Sequence, residues 1–217
     1  MLEIVTHNLL WTEGIYVLVA GLLLAGLAYY LNRWLFMLAL AFLAFSFFFF
    51  RNPDRVCAQA QADSNILICP AQGIVVGVDQ SEEPEFDGFS QRVSIFLSPL
   101  DVHVNWTPCA GTIQEVTYRP GRFIMAFVPK SSELNERMDI TIKDDQGRVL
   151  LVRQIAGMVA RRIICWVKPG DRVTAGQKYG MIRFGSRVDI LLPKNCEIAV
   201  KAGDYVYGGQ QVLGRWL

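Results

Sequence analysis

Two apolar runs free of charged residues, Ile15 to Leu31 and Leu35 to Phe50, lie at the start of this 217-residue chain, with only Asn32-Arg33-Trp34 between them. Runs of 17 and 16 residues are at the short end for spanning a bilayer as helices. A tight hairpin crossing twice fits them, and so does a single long or re-entrant segment in the interface. A buried pair of helices in a soluble protein fits less well, because Phe45 and Phe47 to Phe50 would be hard to keep in water. A cleaved signal peptide fits poorly as well, since the N-terminus lacks a basic stretch and carries Glu3 and Glu13. Trp11, Tyr16, Tyr29, Tyr30 and Trp34 fall near the run ends, where amphipathic rings favour the headgroup region. The expectation is a transmembrane helical hairpin over 1–55 with both ends on one side. Arg51 and Arg55 place that side in the cytoplasm by the positive-inside rule.

After Arg51-Asn52-Pro53-Asp54-Arg55 the pattern changes to short β-type runs. They are Ile66–Cys69, Ile74–Val78, Val93–Leu97, Gly111–Val116, Phe123–Phe127, Met138–Ile142, Val149–Ile155 and Ile163–Val167, with turn residues between them. The acidic segment 81–90 reads as a loop, and the polar segment 129–137 as a connection with room for a helical turn. Residues 56–217 are therefore expected to form one mainly β domain, large enough for its own core. Twenty-one Lys and Arg against 20 Asp and Glu exclude binding to nucleic acid by bulk charge. The five cysteines lack CxxC spacing and sit beside apolar residues, as reduced buried thiols do. His7 and His103 have no cysteine at ligand spacing, so no metal site is expected.

An internal repeat lies near the C-terminus. Val167, Lys168, Gly170, Asp171, Val173, Gly176 and Gln177 recur 33 residues later as Val200, Lys201, Gly203, Asp204, Val206, Gly209 and Gln210. Each copy reads as a Gly-Asp turn entering a strand, the look of a barrel-sandwich hybrid of the biotinyl- or lipoyl-carrier kind. Neither copy has a carrier lysine turn, so no swinging cofactor arm is expected. Between the copies lies Arg183-Phe184-Gly185-Ser186-Arg187. Gly leaves its carbonyl uncrowded and Ser supplies a hydroxyl one residue on, yet Gly-Ser is also an ordinary turn pair. Upstream, Ser98-Pro99-Leu100-Asp101-Val102-His103-Val104-Asn105 holds the domain's only histidine. Strand alternation would put Asp101, His103 and Asn105 on one face, either as a satisfied polar cluster or as part of a site.

Taken together, Phe49-Phe50-Arg51-Asn52-Pro53-Asp54-Arg55, Pro70-Ala71-Gln72-Gly73, Ser98 to Asn105 with Pro108 and Gly111, and Gly185-Ser186 resemble the short form of the phosphatidylserine decarboxylase family. The resemblance spans nearly the whole chain. It implies a self-processing enzyme in which Ser186 attacks the Gly185 carbonyl, the chain is cut between them, and the new N-terminus becomes a pyruvoyl group. That ketone would take the amine of phosphatidylserine and act as the electron sink for loss of carbon dioxide, giving phosphatidylethanolamine. His103 would position substrate or relay a proton, with support from Asp101, Asn105 and Gln72. Arg183 and Arg187 either pair with the lipid phosphate or carboxylate or are solvated flanks. The partners implied are the membrane, a phospholipid substrate and the two cleavage fragments, with a homodimer allowed for. Two residues depart from the pattern. Gln72 stands where the family usually has Asp, and Trp106 where longer members have a second His, so an Asp-His-Ser triad is not available. Either His103 alone serves the cleavage or another group does. The competing readings are an unprocessed membrane-anchored pseudoenzyme that binds lipid or protein, and a decarboxylase of another serine-headed lipid.

Overall fold

The computed structural model describes residues 11–81, 88–121, 135–157, 163–183 and 186–217. The expected strand Phe123–Phe127, the cores of both expected connections (82–87 and 129–134) and Gly185 lie outside them. The chain divides into two compact units, Met1–Asp54 and Arg55–Leu217.

In the first unit α1 (Trp11–Leu31) and α2 (Arg33–Phe49) form an antiparallel hairpin. Asn32 breaks the helix by adopting extended backbone, and its side-chain oxygen accepts from the Trp34 N–H at 2.7 Å, capping α2. Small residues let the helices approach: a Cβ on Gly21 would lie 2.7 Å from Leu43 and one on Gly14 2.9 Å from Phe50. Within α1, Gly14–Leu31 has a mean hydropathy of 2.0 and is long and apolar enough to cross a membrane. The 17 residues of α2 are equally apolar but span only about 26 Å at 1.5 Å per residue, short of a hydrocarbon core of about 30 Å.

The second unit is mainly β, as expected. After the short helix α3 (Ala58–Ala62) come β1 (Ile66–Ile68), β2 (Gly73–Gln80), β3 (Gln91–Leu97), β4 (Val104–Trp106), β5 (Gly111–Arg119), β6 (Arg137–Lys143) and β7 (Val149–Ala156). They are followed by β8 (Ile163–Cys165), β9 (Arg172–Val173), β10 (Lys178–Ile182), β11 (Ser186–Leu192), β12 (Cys196–Ile198), β13 (Tyr205–Val206) and β14 (Val212–Trp216). Among the described residues they pair as one large sheet, β13-β2-β3-β11-β7-β6-β5-β9, and two small ones, β1-β14-β12 and β4-β10-β8.

These orders are those of a duplicated motif. The large sheet reads the same from either edge if β4 to β10 are matched in turn with β1, β2, β3, β11, β12, β13 and β14, and the same matching exchanges the small sheets. The hydrogen bonds agree. Ile68 donates to the Pro108 carbonyl and Trp106 to that of Pro70, both at 2.9 Å, a reciprocal exchange that marks a pseudo-two-fold relation. Gly170 and Asp171 bond Ile113 as Gly203 and Asp204 bond Val75. Gly170 and Gly203 have φ of 91° and 94°, which explains the recurrence of glycine there. One position of the repeat differs from the sequence alignment. Gln177 caps Thr174 through its side chain, and the matching bond to Tyr207 comes from Gln211, not Gln210, because the second turn is one residue longer.

The two halves are not arranged alike along the chain. β6 and β7 are joined by a tight turn, closed by the Asp144 N–H to the Arg148 carbonyl at 3.0 Å. At the matching junction, between β3 and β11, all of β4 to β10 is inserted. The chain leaves at Leu97 and returns at Ser186, and those two residues are cross-strand partners. The core lies on one face of the large sheet, under Ile95, Leu97, Ile140, Ile142, Leu150, Val152, Val188 and Ile190.

Candidate active site

Ser186 opens β11, held between Leu97 of β3 and Ala156 of β7. Alternation puts its side chain on the core face with Val188 and Ile190. It is fully buried, and its Oγ has no hydrogen-bond partner among the described residues. A buried hydroxyl without a partner costs about 1–3 kcal/mol, so this position is kept at a loss to stability. Gly185, before it, lies outside the described residues.

The segment leaving β3 supplies the histidine. Ser98 to Asp101 close a turn in which the Asp101 N–H donates to the Ser98 carbonyl at 3.0 Å and the Ser98 N–H to Asp101 Oδ2 at 2.7 Å. This turn corrects the expectation of one strand face: β4 begins only at Val104, so Asp101 and His103 precede the strand and Asn105 alone is within it. His103 is fully buried with Nδ1 2.9 Å from the Asp101 carbonyl, which can only accept. The proton of the neutral ring is therefore on Nδ1, and Nε2 is the basic nitrogen. The His103 carbonyl accepts from the Ile182 N–H at 3.2 Å, which joins the histidine segment to the strand that leads to Ser186.

Asp101 is tied into a network that sequence reasoning reached only in part. Its Oδ1 accepts from the Tyr205 hydroxyl at 2.5 Å and, at a long 3.5 Å, from Gln72 Nε2. Gln72 Nε2 also lies 2.6 Å from the Tyr205 oxygen, and Gln72 Oε1 accepts from Arg55 at 2.5 Å. Arg55 donates to the Gly208 carbonyl at 2.9 Å and lies over the Trp106 ring at 5.2 Å. The two departures from the family pattern, Gln72 and Trp106, are thus neighbours sharing Arg55. Burial, then the bond to Asp101, raises the Tyr205 pKa, which keeps the phenol protonated as a donor. Tyr205 had no motif to announce it, and Arg55, which closes the Phe49 to Arg55 motif, was read only as a basic flank.

Asn105 Oδ1 accepts from Gln154 Nε2 at 2.7 Å, which links β4 to β7 one row of side chains from Ser186. Asn135 donates to the carbonyl of Ala156, the residue opposite Ser186, at 2.7 Å. Gln154 left a trace in the sequence, a polar residue at an inward position of the run Val149–Ile155. Arg183 is half-buried at the end of β10. Arg187 is neither a solvated flank nor open to a phosphate: it is buried on the sheet's other face, bonded twice to Asp189 at 2.6 and 2.8 Å. Beside that pair, Arg153 and Asp139 are joined at 2.7 and 2.8 Å, also buried.

Fold and site together define a duplicated β domain, with a buried serine and a buried histidine segment at the two crossings between its halves. The sequence profile of phosphatidylserine decarboxylase matches residues 42–214. The phosphatidylserine decarboxylase proenzyme of Salinibacter ruber is 44% identical over 199 residues, covering 89% of this chain and 87% of that protein. That of Carboxydothermus hydrogenoformans is 44% identical over 208 residues, 95% of this chain and 96% of its own. That of Chlorobium chlorochromatii is 42% identical over 183 residues, 84% of each. The chain belongs to the phosphatidylserine decarboxylase family and is a carboxy-lyase.

Proposed function

We propose that the chain is a proenzyme that cuts itself between Gly185 and Ser186 and then decarboxylates phosphatidylserine to phosphatidylethanolamine. The observation that carries this reading is Ser186 Oγ, buried without a partner at the first position of a strand held on both sides. The naming of the relatives as proenzymes supports processing.

In the cleavage, Ser186 Oγ attacks the Gly185 carbonyl carbon and the amide becomes an ester. Elimination across Cα–Cβ of residue 186 then releases the Gly185 carboxylate, and hydrolysis of the remaining enamine expels ammonia and leaves a pyruvoyl group. The surroundings of residue 186 fit that group, because no described side chain is hydrogen-bonded to the Oγ that is lost. Once formed, the group supplies an electron sink for departure of the substrate carboxylate. His103 has a basic Nε2 and serves as the proton carrier, its Nδ1 held by the Asp101 carbonyl. Asn105 and Gln154 hold the floor of the site, and Arg183 is the cation for the lipid headgroup. The apolar hairpin anchors the enzyme in the cell membrane with the β domain on the cytoplasmic side, where headgroups are presented at high local concentration.

Turnover on vesicles containing phosphatidylserine, with a second serine-headed lipid in parallel, tests the reading. Ser186→Ala should abolish turnover. His103→Ala should lower turnover by about 10²-fold or more while cleavage suffers less. Undiminished turnover in Ser186→Ala would overturn the proposal, and preference for the second lipid would reassign the substrate.

A further inference from the structure

Soluble domains keep their turn tips polar and their large apolar side chains scattered. One surface of the β domain does neither. Leu100, at the tip of the turn that carries Asp101, is 64% exposed. Tyr205, whose hydroxyl bonds Asp101, is 43% exposed and its ring lies edge-on to exposed Tyr207 at 5.3 Å. Ile74 is the cross-strand partner of Tyr205, and Val76 follows on the same side of β2; both are exposed. Arg55 lies over the Tyr207 ring at 5.8 Å, and exposed Val56 is its neighbour in the chain. Aromatic rings with polar tips, aliphatic side chains and an arginine are the composition of a surface that rests among lipid headgroups. Asp204, which precedes Tyr205 in the chain, is engaged by the Lys201 N–H of its own turn at 3.0 Å.

The covalent tether supports the same partner. The apolar hairpin ends at Phe49, and Arg55, six residues on, is already part of this patch. Fully extended, that link reaches about 20 Å. A surface so tied is never far from the interface that α1 enters.

We propose that the face formed by Val56, Ile74, Val76, Leu100, Tyr205 and Tyr207 docks onto the bilayer surface. It presents the Asp101–His103 segment to the headgroup layer, so that lipid reaches the site without leaving the membrane. This rests on the membrane-anchored reading above, and the experiment separates the two. Nitroxide labels are placed at Val76→Cys, Leu100→Cys, Gln146→Cys and Leu24→Cys in the full chain, reconstituted into vesicles of phosphatidylcholine and phosphatidylglycerol. The wild-type chain carries the background of its five free cysteines. Gln146 is exposed in the β6–β7 turn, at the opposite end of the large sheet from Ser186. Collision with a water-soluble nickel chelate should be several-fold slower at positions 76 and 100 than at 146, while oxygen collides faster. Aqueous behaviour at 76 and 100 with a lipid-exposed label at 24 would overturn the docking face and leave the anchor standing. An aqueous label at 24 would overturn both.

Discussion

Tyr205 ties the site to the C-terminal half of the domain through a single hydroxyl. Tyr205→Phe removes the donor to Asp101 and loosens the turn that orients His103. Because the side chain is half-exposed and water can take its place, the cost should be about 1 kcal/mol, read as a several-fold loss of turnover with unchanged cleavage. The raised Tyr205 pKa sets the sign of its pH dependence. The clamp is complete below the ordinary phenol value of 10.0 and is lost as pH rises through the raised folded value. Two buried thiols follow the same rule. Burial pushes Cys69 and Cys109 up to about 12, so their contribution to stability is full below the usual 9.0 and falls as pH climbs toward 12. Neither should react with iodoacetamide in the folded protein at pH 8, and both should react in denaturant; rapid native labelling would contradict their placement. The Ser98 to Asn105 motif and the Gly185-Ser186 pair were legible only through the resemblance, because Gly-Ser alone is an ordinary turn pair and Asp101, His103 and Asn105 read equally well as a satisfied polar cluster. Arg187 was not, since a charged residue beside a turn reads as solvent-facing until its partner two residues on, Asp189, is seen buried with it.

At the scale of elements, the turn 207–211 shows why the second half of the repeat differs from the first. Cβ atoms on Gly208 and Gly209 would lie 2.7 and 2.8 Å from the Trp106 ring, and Gly209 has φ of 74°. The indole at position 106 therefore requires two glycines where the first repeat has Ala175-Gly176. Gly209→Ala should cost about 1–3 kcal/mol through overpacking and backbone strain, seen as a lower denaturant midpoint at unchanged slope. A neutral result would mean that Trp106 does not sit on this turn. The 33-residue repeat was visible because its Gly and Asp are fixed by turn geometry. Its counterpart, Cys69-Pro70-Ala71-Gln72-Gly73 against Thr107-Pro108-Cys109-Ala110-Gly111, was not, since only Pro and Gly recur and strand residues need only be apolar. The start of the short β4 was misplaced because strand alternation was carried back to Asp101, across a turn whose hydrogen bonds no periodicity shows.

Over the whole molecule, the duplication explains how a cut chain can stay assembled. β11 lies between β3 and β7, β14 between β1 and β12, and β13 on β2, so residues 186–217 are interleaved with the rest. After cleavage at Gly185 the two fragments should co-elute under native conditions and separate only on denaturation. Fragments that part in native buffer would contradict the sheet order. The mainly β class and the apolar hairpin were legible from period and composition. The insertion of one half into the junction of the other was not, because it is a property of pairing and leaves no mark on any single segment. That insertion places the His103 segment and Ser186 at the two crossings between the halves, His103 after the exit at Leu97 and Ser186 at the return.

The fate of the bond before Ser186 decides between a processed enzyme and an uncut chain, and the intact mass of the purified chain under denaturing conditions measures it directly. The expected result is two species, residues 1–185 and 186–217, the smaller without an N-terminal amine and carrying a ketone in place of the serine. A single full-length mass that retains the Ser186 hydroxyl in an otherwise folded protein would contradict self-cleavage.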